Sequence, residues 1–119
     1  MCTLTCDYVW DIIRNNDRYR LFWEPVDPIK SLALDYFNII TEPMDLSVMK
    51  TKMVIKYYNT EEFCSDMLLM FRNAMTYNPP GHLAHEEAVR LRKLFLLYSD
   101  RLALDDATRA AIVLCKLKS

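Results

Sequence analysis

The sequence predicts an all-α protein, a bundle of four amphipathic helices, and three observations carry that expectation. One glycine and five prolines in 119 residues are too few turn-formers for a many-turned β protein. The prolines, at positions 25, 28, 43, 79 and 80, divide the chain into segments of helical length. Within those segments apolar residues recur at spacings of three and four, the period of one helix face. Helices of this kind bury their stripes only against one another, which makes a bundle.

The first helix is expected over residues 4–18, with Cys2, Cys6, Val9 and Ile13 as its stripe. A long connection, residues 22–43, comes next. It is too apolar for a solvated linker: Phe22, Trp23, Val26, Ile29, Leu32, Leu34, Tyr36, Phe37, Ile39 and Ile40 all need somewhere to pack. A loop of this length inside a compact domain is functional more often than idle. It is expected to fold back on one end of the bundle and wall a pocket. Asp45 reads as the N-cap of a second helix reaching about Tyr57, with Leu46, Met49 and Met53 inward. Thr60 reads as the next cap, and Glu61 and Glu62 suit the positive end of the helix dipole.

The third helix carries Phe63, Met67, Met70, Phe71 and Ala74 on one face. It is expected to end near Tyr77, because Asn78 precedes proline and is pushed out of the α region. The fourth shows Ala84, Ala88, Leu91, Phe95, Tyr98 and Leu102, the cleanest period in the chain. Asp105 and Asp106 then cap a short further helix carrying Ala110, Val113 and Leu117. The methionines on these stripes read as adaptable core filler.

Composition narrows the function. Hydrophobic content is 52%, but the apolar runs are only a few residues long, so no membrane span is expected. The start, Met1 to Asp7, has neither a basic segment nor an apolar run, which predicts an intracellular protein. A net charge of −1 argues against affinity drawn from phosphate contacts, so direct nucleic-acid binding is not expected. Cys2, Cys6, Cys64 and Cys115 form no paired framework and read as reduced thiols. His82 and His85 have no partners at metal-ligand spacing and read as loop and first-turn residues. No cofactor or metal is expected. No nucleophile context and no Glu-x-x-His pair appears, so the chain is not expected to be an enzyme.

Asn78 is the most informative residue. An amide with two donors and an acceptor, held rigidly where a helix meets Pro79 and Pro80, either reads a ligand or caps its own helix.

The order of motifs points further. Val26-Asp27 follows an aromatic and a proline; then come Asp35-Tyr36-Phe37-Asn38-Ile39-Ile40, Pro43-Met44-Asp45-Leu46, Tyr58-Asn59 with Phe63 and Asp66, and Phe71 through Asn78. Together they resemble the bromodomain family, left-handed four-helix bundles that read acetyl-lysine. The resemblance spans about residues 5–103. It implies a single bromodomain over 1–119, with 104–119 as a helical extension.

It also implies a role for each matching position. Asn78 would hydrogen-bond the acetyl carbonyl and Tyr36 would reach the same oxygen through water. Val26 would line the slot and Phe22 would sit beside the methyl group. Ala84 would be the gatekeeper, or Leu83 if the alignment slips by one. Tyr77 and Asn73 would chiefly tie the long loop to the bundle. Where the family has Trp-Pro-Phe this chain has Arg20-Leu21-Phe22, and Trp23 would supply the missing shelf if the loop turned it inward. With Ser31, Ala33 and Ala84 also small, a wider pocket is expected. The implied partner is an acetylated histone or other acetylated protein tail, met in the nucleus by one module of a larger protein. The alternative is a bundle of the same fold that binds proteins without needing acetyl-lysine.

Overall fold

The computed structural model describes residues 4–55 and 58–118. Among them six helices follow in order: α1 (Cys6–Asn16), α2 (Tyr36–Ile39), α3 (Leu46–Ile55), α4 (Thr60–Tyr77), α5 (Leu83–Ser99) and α6 (Asp106–Leu117). No strand occurs among the described residues. The long helices α1, α3, α4 and α5 form the bundle, with α4 and α5 as its most extensive pair. α1 lies against α5 and α3, and α6 docks on α5.

The core follows the predicted stripes closely. Val9, Ile13, Leu46, Met49, Phe63, Met67, Met70, Phe71, Ala88, Leu91 and Phe95 are all buried, and each large side chain contributes roughly 1.5–3 kcal/mol by leaving water. Trp10, outside the predicted stripe, is buried too, and its indole N–H donates to the Leu46 carbonyl at 2.9 Å. Of the expected α1 stripe Cys6 is only half-buried, and Cys2 lies outside the described residues.

Local chemistry moves several boundaries. α1 starts after Thr5, whose hydroxyl accepts the Tyr8 N–H at 3.1 Å, and ends at Asn16 rather than 18. Asp17 leaves the helix because its carboxylate is used by the loop that follows. Asn59, not Thr60, caps α4 by accepting the Glu62 N–H at 2.7 Å. Asp45 caps α3 as expected, taking the N–H groups of Ser47 at 2.8 Å and Val48 at 3.2 Å. Met53 is only half-buried, and the expected helix end at Tyr57 lies outside the described residues. α4 stops at Tyr77, as the following Asn-Pro-Pro requires. Gly81 then takes φ +92°, a left-handed turn that aims the chain into α5.

Two expectations fail. α6 forms where predicted, capped by Asp105, but it docks through Ile112 and not through Ala110, Val113 and Leu117, which stay exposed. Polar clamps set that rotation: Lys116 pairs with Asp100 at 2.6 Å, and Arg109 donates to the Leu102 carbonyl at 3.1 Å. The long loop, with α2 inside it, buries only Phe22, Tyr36 and Ile40. Ile29, Leu32, Leu34, Phe37 and Ile39 remain largely exposed. Tight turns closed by main-chain bonds, such as Ser31 N–H to Asp27 and Ala33 N–H to Pro28, hold this segment together. Their side chains therefore face outward.

A buried carboxylate with two solvent-reaching arginines ties the chain just past α1 to α5. The Glu87 side chain is 1% exposed and shares a helix face with Leu91. It accepts from Arg90 Nε at 2.8 Å, from Arg18 Nη2 at 2.8 Å and from the Arg18 backbone N–H at 3.0 Å. The hydrogen bonds from Arg90, then those from Arg18, pull its carboxyl down to about 2 from an ordinary 4.5. With the folded value depressed, this stabilisation is complete above the ordinary value and is lost as pH falls toward 2. Glu87→Gln is expected to cost about 2 kcal/mol or more at neutral pH and to flatten the acid limb of stability. Urea melts across pH test this, and an unchanged acid limb would assign it to other carboxylates.

Candidate recognition pocket

A cavity of about 1030 Å³ opens at the end of the bundle where α4 stops, α5 starts and the long loop folds over. Its construction begins at the end of α1. The buried Asp17 carboxylate accepts the N–H groups of Leu21 at 3.1 Å and Phe22 at 2.8 Å. Arg20, at φ +54°, makes the left-handed turn between them. The Phe22 carbonyl then accepts the Leu46 N–H at 2.8 Å, so Phe22 is pinned from both sides. Its ring packs edge-on against Phe71 with centroids 5.5 Å apart and faces the cavity.

The far end of the loop is tied to α4. Asn73 donates to the Glu42 carbonyl at 2.8 Å, and the Tyr77 hydroxyl donates to Asp35 at 2.6 Å. The bond to Asp35 pushes the Tyr77 phenol up. These are the loop-tying contacts the sequence assigned to both residues. Tyr36 is buried and packs edge-on against Tyr77 at 4.9 Å. Burial, then the Asp45 charge, pushes its phenol up, so it stays neutral at physiological pH. Its hydroxyl takes no protein partner among the described residues, and the residue lines the cavity.

Asn78 lies on the rim and also caps its own helix. Its backbone N–H and its side-chain Nδ2 both donate to the Ala74 carbonyl, at 3.1 and 3.0 Å. Its own carbonyl meets the His85 Nδ1 at 2.7 Å; a carbonyl only accepts, so that nitrogen carries the proton. The two local readings of Asn78 therefore coexist. Capping uses one of two amide hydrogens on an acceptor the main chain already satisfies, which leaves a donor and the amide oxygen for another partner.

Val26, 36% exposed, and Ala84 complete the wall. Leu83 is 49% exposed and is not part of the lining. Trp23 also lines the cavity. Its indole N–H donates to the Arg14 carbonyl at 3.2 Å, and its ring carries the Arg14 and Arg20 guanidiniums at 3.9 and 4.5 Å.

Reading the sequence missed Asp17 and the lining by Met44, Met70 and Ile39. The signal for Asp17 was an aspartate a few residues upstream of the N–H groups it satisfies, the Asx habit of bonding to nearby backbone. Four carboxylates also line the cavity: Asp35, Asp45 and Asp27 accept bonds within the fold, and Glu24 stands on the exposed lip. No group of three or more metal-ligating side chains occurs among the described residues.

A helical bundle whose ordered loop walls a pocket beside a fixed amide defines a helical recognition module. The chain belongs to the bromodomain family: the family model described as Bromodomain matches residues 6–90. It is 47% identical over 89 residues to the SWR1 complex bromodomain subunit bdf1 of Schizosaccharomyces pombe, covering 73% of this chain and 15% of that protein. It is 49% identical over 76 residues to Transcription factor GTE9 of Arabidopsis thaliana, covering 63% and 11%. Bromodomain-containing factor 1 of Saccharomyces cerevisiae shares 39% over 87 residues, covering 71% and 13%. The matched part is thus a small fraction of each of these proteins.

Asp17→Ala is expected to destabilise the fold by about 2 kcal/mol, since two loop N–H groups lose a charged acceptor. Hydrogen exchange should show Leu21 and Phe22 losing protection first. Protection lost uniformly along the chain would contradict a local role.

Proposed function

We propose that this chain reads acetylated lysine on protein tails, histones foremost, as one module of a larger nuclear chromatin protein. The single domain spans 1–119, with α6 as an extension. The observation that supports this best is Asn78, held by backbone bonds at both ends on the rim of a cavity walled by Phe22, Val26 and Tyr36.

Acetylation turns an ammonium into a neutral amide with an acceptor oxygen and a methyl group. Asn78 offers the spare amide hydrogen to that oxygen. The Tyr36 hydroxyl, unpartnered by protein, organises a bridging water. Phe22 and Val26 enclose the methyl, Ala84 stands as a small gate, and Tyr77 holds the loop that carries Tyr36. An unmodified lysine would have to desolvate its ammonium beside carboxylates already engaged within the fold, Glu24 on the exposed lip apart, at a cost of several kcal/mol, so selectivity is largely a penalty on the wrong ligand. The gain is modest: about 1 kcal/mol for the net hydrogen bond and about 0.8 kcal/mol per buried methyl or methylene. Single-site binding is weak, and useful affinity comes from flanking contacts or linked modules.

Asn78→Ala is expected to weaken acetyl-peptide binding about tenfold or more while changing stability by less than about 1 kcal/mol, because the backbone N–H keeps the Ala74 carbonyl satisfied. Isothermal titration with acetylated and unmodified histone-tail peptides tests it; equal binding by the mutant would sink the assignment. Ala84→Ile should narrow the entrance and penalise bulky acyl groups more than acetyl. Unchanged selectivity across acyl sizes would remove Ala84 from the gate.

A further inference from the structure

A second, shallower groove of about 300 Å³ lies on the outer side of α1 and α3, separated from the first cavity by Trp23 and Glu24, which border both. Its floor is apolar and its main chain is spent. Leu46 is buried, its N–H is given to Phe22, and its carbonyl takes the Trp10 indole. The hydroxyls of the wall have used their hydrogens: Ser47 donates to Asp45, and Thr51 donates to the Ser47 carbonyl at 3.0 Å. The donors left to a ligand are cationic.

Those cations are already held in place. The Arg14 guanidinium lies 3.9 Å from the Trp23 ring centre and the Lys50 ammonium 4.7 Å from that of Trp10. Arg20 stacks on Trp23 as well, at 4.5 Å. Among the described residues no carboxylate lies within ion-pair distance of Arg14 or Arg20, and Lys50 meets only the exposed Asp7 at 3.5 Å. Glu24 on the shared lip is the one acid in the lining. A guanidinium held over an indole ring, with no carboxylate at ion-pair distance, keeps N–H donors for a ligand, and a guanidinium suits a bidentate carboxylate.

We propose that this groove binds an acidic peptide segment, with its carboxylates on Arg14 and Lys50. Nucleic acid fits less well. The Trp10 and Trp23 faces are occupied by cations and leave little for a base to stack on, and the chain carries a net charge of −1. The site lies outside the acetyl-lysine pocket and does not depend on its chemistry.

Both tryptophans of the chain line this groove and both indole N–H groups are hydrogen-bonded, so two indole signals report on it. The experiment is a proton–nitrogen NMR titration with a blocked hexapeptide of sequence Glu-Asp-Leu-Phe-Glu-Asp. Its Gln-Asn-Leu-Phe-Gln-Asn counterpart and a short DNA duplex run in parallel. Saturable shifts of both indoles with the acidic peptide alone are expected. Lys50→Glu, which removes one charge-assisted hydrogen bond, and separately Thr51→Glu, which sets a repelling carboxylate on the exposed wall, should each weaken binding about tenfold or more. Asn78→Ala should leave it unchanged. Absence of a saturable shift, equal shifts with the amide peptide, tighter binding of the duplex, or full binding by both charge variants would overturn the proposal.

Discussion

The carboxylate of Asp17 decides how the rest of the pocket is built. The last turn of a helix leaves carbonyls unpaired, and the chain beyond it has free N–H groups looking for acceptors. Asp17 is buried and takes two of those N–H groups, from Leu21 and Phe22. The chain therefore turns sharply at Arg20 and delivers Phe22 onto Phe71. Leu46 then binds the Phe22 carbonyl, which fixes where α3 starts relative to α1. A single charged acceptor thus couples a helix end, one wall of the cavity and the register of the next helix.

The fold divides its labour between apolar and polar contacts. Hydrophobic stripes bring four helices together without setting their ends or rotations. Polar locks do that at the periphery: Glu87 with Arg18 and Arg90 joins α1 to α5, and Asp66 with Lys52 and Tyr58 joins α3 to α4. The Asp35 and Glu42 contacts hold the loop against α4. Because the loop is held by hydrogen bonds rather than burial, it exposes Ile29, Leu32 and Leu34 beside the cavity.

Trp23 gives this chain its own character. Its ring is clamped by two guanidiniums, with its N–H on the Arg14 carbonyl. It borders two cavities, one lined by Phe22, Val26 and Tyr36 and the other by Arg14 and Lys50.

The sequence by itself determined the class and order of the helices, because apolar period and proline position are local signals. The core from Val9 to Phe95, the stop of α4 at Tyr77 and the caps at Asp45 and Asp105 were legible residue by residue. So was the extended, helix-ending conformation of Asn78, since the residue before a proline has few conformations open to it. Only the tertiary structure decided which face of α6 docks, that Asp17 is buried, that Glu87 sits inside an apolar stripe and that Leu83 turns away from the cavity. The docked face of α6 and the burial of Glu87 depend on partners elsewhere in the chain, Asp100 for Lys116 and Arg18 for Glu87. A polar group's burial is affordable only where such a partner arrives, and no local pattern records that arrival.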